Sequence, residues 1–308
     1  KGWIPQDDDE VADAPVAPLP TKGIFAFGST GSVTNVSNLL GSNGVIAANT
    51  TGVGTSRSNV GTTSYGTDKA LFAYGRAGSP YLSMKNLVTN QGVVGLDVSG
   101  VGTAREGCRG IAVGSDGAAV IAFGAISGSR TNISSTVNSA GVISADVTGV
   151  GTARQDAGPS RYGVGLGAIA FGGIGGSNLS TKNLVNTSGV VGSDVTGVGT
   201  ARTKLAAACY GGDKGVFAYG TPATSVKNLM SNTGVIAADV SGVGKVRRSL
   251  KAATYDSDKV AFAYGFNDDD NANLNVKNLC SNTGVISADV TGVGTAREDL
   301  GAASYSIA

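Results

Sequence analysis

Short apolar segments alternate with glycine-rich and Asn/Asp-rich turns along nearly the whole chain. No stretch carries an apolar stripe of 3.6-residue period over three turns, so the pattern predicts strands and no long helix. The clearest copy of the recurring pattern is the stretch 201–220, within a unit that continues to about residue 240. Residues 205–210 form a small apolar segment, Gly211-Gly212-Asp213 a turn, and residues 214–219 a second strand in which Val216, Phe217 and Tyr219 supply β-favouring side chains. A third strand is expected over about residues 225–231. The turn Asn232-Thr233-Gly234 then places glycine where a hairpin needs positive φ, and a fourth strand follows over about residues 235–240.

The unit repeats. Its marker is Gly-Val-Gly-Thr-Ala-Arg, and the arginines or their equivalents are Arg57, Arg105, Arg154, Arg202, Arg247 and Arg297, at successive spacings of 48, 49, 48, 45 and 50 residues. Four strands in that length make a propeller blade, not a helical hairpin repeat. The ends fit together. The glycine ending the second strand lies 18 residues after its arginine in Arg57–Gly75, Arg202–Gly220 and Arg247–Gly265, yet Gly28 has no arginine before it, and Arg297 opens a unit that stops at Ala308. If the last segment supplies the first strand of the first blade, residues 300–306 pair beside residues 23–27 and the ring closes without exposed edges. The expectation is an all-β chain: an extended arm over residues 1–21 and a six-bladed propeller of four-stranded antiparallel blades over residues 22–308. Strand parity puts the first-to-second and third-to-fourth turns on one face. The varied second-to-third loops and the connectors lie on the other.

The Thr-Ala-Arg lead-in, the small-residue inner strand and the glycine-terminated Phe217-Ala218-Tyr219-Gly220 resemble the kelch repeat over roughly residues 22–308. The double glycine of that repeat survives only as Gly172-Gly173, and its late-blade tryptophan is missing. The combination of Asn-Leu-x-Ser-Asn-Thr-Gly-Val-Ile, Asp-Val-Thr-Gly-Val-Gly-Thr-Ala-Arg and Asp-Lys-x-x-Phe-Ala-Tyr-Gly is similar to tandem repeats of virion and tail-associated proteins of environmental tailed phages. That resemblance implies a structural or accessory virion protein and brings no catalytic residue with it.

Composition narrows the chemistry. The 49 glycines and the 6% aromatic content suit crowded strands around an axis, with Tyr65, Tyr162, Tyr210, Tyr255 and Tyr305, each 8 residues after its arginine, as packing wedges. A net charge of +1 with interspersed signs leaves no footprint for nucleic acid. No apolar run approaches the ~20 residues of a membrane span. The chain begins at Lys1, so the amino end reads as processed or trimmed. Cys108, Cys209 and Cys280 fall at different repeat offsets and read as buried small hydrophobes, not disulfide partners. Histidine is absent, which removes imidazole-based triads and ordinary zinc sites. A carboxylate pair could still cleave a glycosidic bond. However, Asp97, Asp146, Asp194, Asp239 and Asp289 share one offset, 8 residues before an arginine, with Asn49 in the first copy. Along an extended strand that is about 26 Å, so a salt bridge needs a bend or a neighbouring blade. The six arginines read as an inter-blade network, with a positive ring for an acidic ligand as the alternative.

The residues outside the repeat carry the functional expectations. Trp3 and Ile4, in a proline-rich acidic leader, suit anchoring in a partner's groove. Arg76 and Tyr81 of the second copy, Arg130 of the third and Asp268, Asp269 and Asp270 of the sixth are the candidates for a ligand face. The aspartate run lacks the alternating spacing of a calcium loop, so no metal or cofactor is expected. The resulting reading is a non-enzymatic virion protein, held to other virion proteins by its arm and recognising a surface glycan or protein. A secreted lectin-like propeller is the alternative, followed by a carboxylate-dependent glycosidase and an intracellular kelch-type adaptor.

Overall fold

The computed structural model describes residues 21–306, and within them every regular element is a strand. Six antiparallel sheets follow the six repeats. Sheet one joins Lys22–Ala26 and Ser37–Leu40 to Gly301–Tyr305, so the end of the chain pairs with its beginning, Ala303 opposite Ile24. Sheet two holds Gly61–Tyr65, Lys69–Ala73 and Lys85–Val88, and sheet three Arg109–Val113, Ala118–Ala122 and Ser134–Val137. Sheet four is the largest, with Gly158–Tyr162, Leu166–Gly173, Asn178–Val185 and Val191–Val195. Sheet five holds Ala206–Tyr210, Lys214–Ala218 and Lys227–Met230, and sheet six Lys251–Tyr255, Lys259–Ala263 and Lys277–Cys280. Two small ribbons, Ala125–Ile126 with Ser129–Arg130 and Phe266–Asn267 with Ala272–Asn273, extend the loops of sheets three and six.

Only sheet four carries the expected fourth strand. In the other five the fourth segment is reduced to two isolated bridges, such as Lys85 to Val98 and Val88 to Val94. Between them two residues of the third strand face three of the fourth segment, a bulge that breaks the ladder. The Asn86 side chain fills the gap by donating to Gly95 O at 2.9 Å, and Asn38, Asn228 and Asn278 do the same in sheets one, five and six.

The second strands are buried on both faces, which explains near-continuous runs such as Lys-Val-Ala-Phe-Ala in place of strict alternation. Their side chains do not form one central core. Six apolar clusters each straddle two successive sheets, and the sixth joins sheet six to sheet one through Phe25, Leu40, Tyr255 and Tyr264. Five tyrosines complete these interfaces from the inner strands, and the third-to-fourth turn of the next sheet leaves room for the ring only because it holds glycine. A Cβ on Gly234 would stand 2.9 Å from Tyr162, and one on Gly141 2.9 Å from Tyr65. Pro159 sits inside an inner strand, which is a ladder edge and tolerates the missing donor.

Backbone hydrogen bonds then run from sheet to sheet in closed circuits. Beyond each connector arginine, Asn59, Gly107, Asp156, Lys204, Ser249 and Asp299 adopt positive φ, and the N–H of each donates to the carbonyl of the preceding member at 2.8–3.0 Å, Asn59 returning to Asp299. At the opposite end the inner turns form a second circuit, from Ser306 N to Asp68 O through to Asp256 N to Thr21 O, at 2.7–3.0 Å. A third links Gly28, Gly75, Gly124, Gly172, Gly220 and Gly265 to the carbonyl of the next sheet's arginine.

Candidate functional site

The strongest repeat positions are buried. All six connector arginines are 0% exposed, which rules out the alternative of an open positive ring for an acidic ligand. Arg57 donates from Nε to Tyr74 O at 2.9 Å and from its Nη atoms to Thr55 O at 3.1 Å and Asn86 Oδ1 at 2.6 Å. Its guanidinium lies 4.1 Å above the Phe27 ring of the preceding sheet. Arg105 lies likewise over Tyr74, Arg154 over Phe123, Arg202 over Phe171, Arg247 over Tyr219 and Arg297 over Tyr264. The six aromatics hold φ between 61° and 66°, a left-handed conformation unusual for bulky residues. The carbonyls of Tyr74, Tyr219 and Phe27 are pinned by the arginine of their own sheet.

The recurring aspartates join the same hubs, reached around the whole sheet. Asp97 stands 3.8 Å from Arg57, not beside Arg105, and accepts hydrogen bonds from Thr55 N, Thr55 Oγ1 and Asn86 Nδ2 at 2.7–2.9 Å. Sheet three differs instructively. Ser135 replaces the asparagine, and its shorter side chain lets Asp146 reach Arg105 directly at 3.0 Å. In sheet one the neutral Asn49 takes the place, bonded to Thr295 across the chain closure. Burial pushes Arg57, Arg154 and Arg202 down to about 10, only partly opposed by their aspartates. Burial alone would raise the carboxyl of Asp97, but the hydrogen bonds of Thr55 and Asn86 and the charge of Arg57 hold it below its usual range. With each of the five recurring aspartates committed to one offset and one hub, these repeat positions hold the architecture and do not form an asymmetric acid/base pair.

The chemistry that varies surrounds the connector-face circuit. There a bowl of about 630 Å³ opens between the second-to-third loops of sheets one and two and the residues following the arginines. Three of its carboxylates are paired: Glu106 with Arg76 at 3.6 Å, Asp156 with Arg109 at 2.8 Å and Glu298 with Arg248 at 3.1 Å. Burial raises Glu106 and Glu298; the charges of Asp156 near the first and Asp299 near the second reinforce it, against Arg76 and Arg248. Lys251 is 8% exposed, and burial, aided by the Arg109 charge, pushes its amine down to about 7. The inner strands enclose only a narrow passage of about 100 Å³ lined by small residues such as Gly110, Ala208 and Ala302.

Of the residues expected on a ligand face, Arg76 lines the bowl. Tyr81 and Arg130 each bond the backbone of Gly128 in the next loop, the Gly128 N–H donating to Tyr81 Oη at 3.1 Å and Arg130 to Gly128 O at 2.8 Å. Asp268 is taken by Arg248 at 2.8 Å and Asp270 by Lys245, while Asp269 is exposed. Trp3 and Ile4 lie outside the described residues. Cys108 and Cys280 are buried and Cys209 half-buried, all three as free thiols; burial pushes Cys209 and Cys280 up to about 11. Sequence reasoning passed over Glu106, Asp156, Lys204, Glu298 and Asp299. Their signal was available: the two positions after each arginine change chemistry from copy to copy while their neighbours repeat. Among protein-family models none matches the chain, and a comparison with curated proteins finds no match either.

Proposed function

We propose that the chain is a six-bladed β-propeller serving as a non-enzymatic recognition module that binds through its connector face. Three closed backbone circuits and six apolar interfaces in the same cyclic order support the propeller reading. The observation that carries the recognition reading is the split between the faces. Repeat-invariant groups are buried in the arginine hubs, whereas unlike polar groups gather around one open bowl. A rigid scaffold with one variable face is the arrangement of a binding protein, and a cavity of this size falls in the range of roughly 300–1,000 Å³ typical of ligand clefts. The likeness of the repeats to phage virion proteins supports a place in a virion, with residues 1–21 as the tether.

The test compares the full chain with one starting at Thr21 by native mass spectrometry, and with variants of each face on glycan arrays and host envelopes. Arg76→Ala and Tyr81→Ala are expected to lose retention, and Asn282→Ala on the turn face to keep it. Retention that ignores the connector-face changes sinks the recognition reading; particle assembly that ignores the arm sinks the tether.

A further inference from the structure

The charges of the bowl do not cancel completely by internal pairing. Three of its four carboxylates, Glu106, Asp156 and Glu298, are taken by Arg76, Arg109 and Arg248, and Asn59 and Gln155 add hydrogen bonds to Glu106 at 3.3 Å and Asp156 at 2.8 Å. One group of each sign remains. Lys204 and Asp299 both line the bowl, and neither side chain makes an ion pair or a hydrogen bond with another described residue. They do not pair with each other either, because Ser249 stands between them in the backbone circuit: Ser249 N donates to Lys204 O at 2.9 Å and Asp299 N to Ser249 O at 3.0 Å. The circuit fixes their main chains, so their separation is built into the scaffold and a single ligand carrying both charges can bridge them.

We infer that the connector-face bowl binds a small zwitterionic group, its ammonium against Asp299 and its carboxylate against Lys204. The inference rests on the recognition reading above and names the chemistry of its ligand. A monopolar ion satisfies one side chain and leaves the other unmatched, so the two groups together select for a ligand with both charges at a matching distance. A free amino acid and a zwitterionic group at the end of a surface polymer share this chemistry.

The experiment titrates the full-length chain with glycine, β-alanine, 4-aminobutyrate and 6-aminohexanoate, and with butylammonium and butyrate as monopolar controls, read by calorimetry and by chemical-shift changes. One member of the amino-acid series is expected to bind at least tenfold tighter than either control. Asp299→Asn and Lys204→Gln are each expected to weaken it at least tenfold, and Lys214→Gln on the turn face to leave it unchanged. Circular dichroism verifies that each variant is folded. Equal binding of a monopolar control, no binding by any member of the series, or indifference to both substitutions in folded variants overturns the inference. Surface retention separates this failure from that of the recognition reading: retention lost through Arg76→Ala without any zwitterion binding leaves the reading standing, and zwitterion binding with retention unmoved by connector-face changes leaves only the inference. Competition of retention by the free amino acid identifies a polymer end as the source; binding without competition identifies the free molecule.

Discussion

The two ends of the sheet array are closed by the same device and differ in everything attached to it. At the turn end the circuit runs largely through glycine, Gly66, Gly114, Gly163 and Gly211 donating in four of its six links, and five tyrosines pack against turn glycines farther out. At the connector end the circuit runs through Asn59, Gly107, Asp156, Lys204, Ser249 and Asp299. Because main-chain groups make the links at both ends, side chains at the connector end are free to differ without opening the array. The strain of placing lysine, serine and acids at positive φ is accepted there, of order 1 kcal/mol or more per residue, where glycine would avoid it. Beneath that end the buried arginines provide the compensating stiffness.

Four substitutions sharpen the contrast, taken from the largest expected effect downward. Arg202→Ala removes a buried cation that holds Thr200 O, Tyr219 O and Asn228 and stacks on Phe171. It is expected to cost about 3–5 kcal/mol, since a cavity opens under the Phe171 ring and the buried acceptors Tyr219 O and Asn228 Oδ1 lose their donor, and a drop in the denaturant midpoint checks it. Lys251→Met is expected to stabilise the protein by a few kcal/mol at or below pH 7. The folded amine titrates near 7, below its usual value of 10.5, so the unfolded chain binds more protons between those limits and the native stability rises with pH across that window. The gain from methionine is therefore full below about pH 7 and fades toward pH 10.5, which thermal melts across the range measure; a gain independent of pH would contradict the cause given. Smaller still is the effect of alanine at the outer turns. Gly234→Ala meets Tyr162 at 2.9 Å and should cost about 2–3 kcal/mol from strain and crowding together. Gly189→Ala shares the φ of +78° but faces Val113 of sheet three, with no contact nearer than 3.5 Å, and should cost about 1–2 kcal/mol. Equal melting temperatures for this pair would show that backbone strain alone requires the turn glycine.

Sheet three shows how one residue propagates through a unit. Val113 stands where five other inner strands carry tyrosine, and Ser135 where the other third strands carry asparagine. The first leaves space around Gly189 and the second draws Asp146 onto Arg105. Both departures were visible in the alignment of repeats, but their partners were not, since Gly189 and Arg105 lie 76 and 30 residues away in the chain.

Periodicity alone determined that this chain is built of strands, where its units begin, that residues near 300–306 pair with residues near 23–27, and which arginines and aspartates recur at equivalent positions. These follow because turn chemistry and strand propensity are local and because a sixfold repetition averages out exceptions. Only the tertiary structure decided which aspartate meets which arginine, why the fourth strand shrinks to a bulge bridged by Asn86, and that Lys204 and Asp299 share a bowl without meeting. Those outcomes depend on distances across sheets between residues far apart in the chain. There the length of one side chain, asparagine against serine or tyrosine against valine, decides which groups touch.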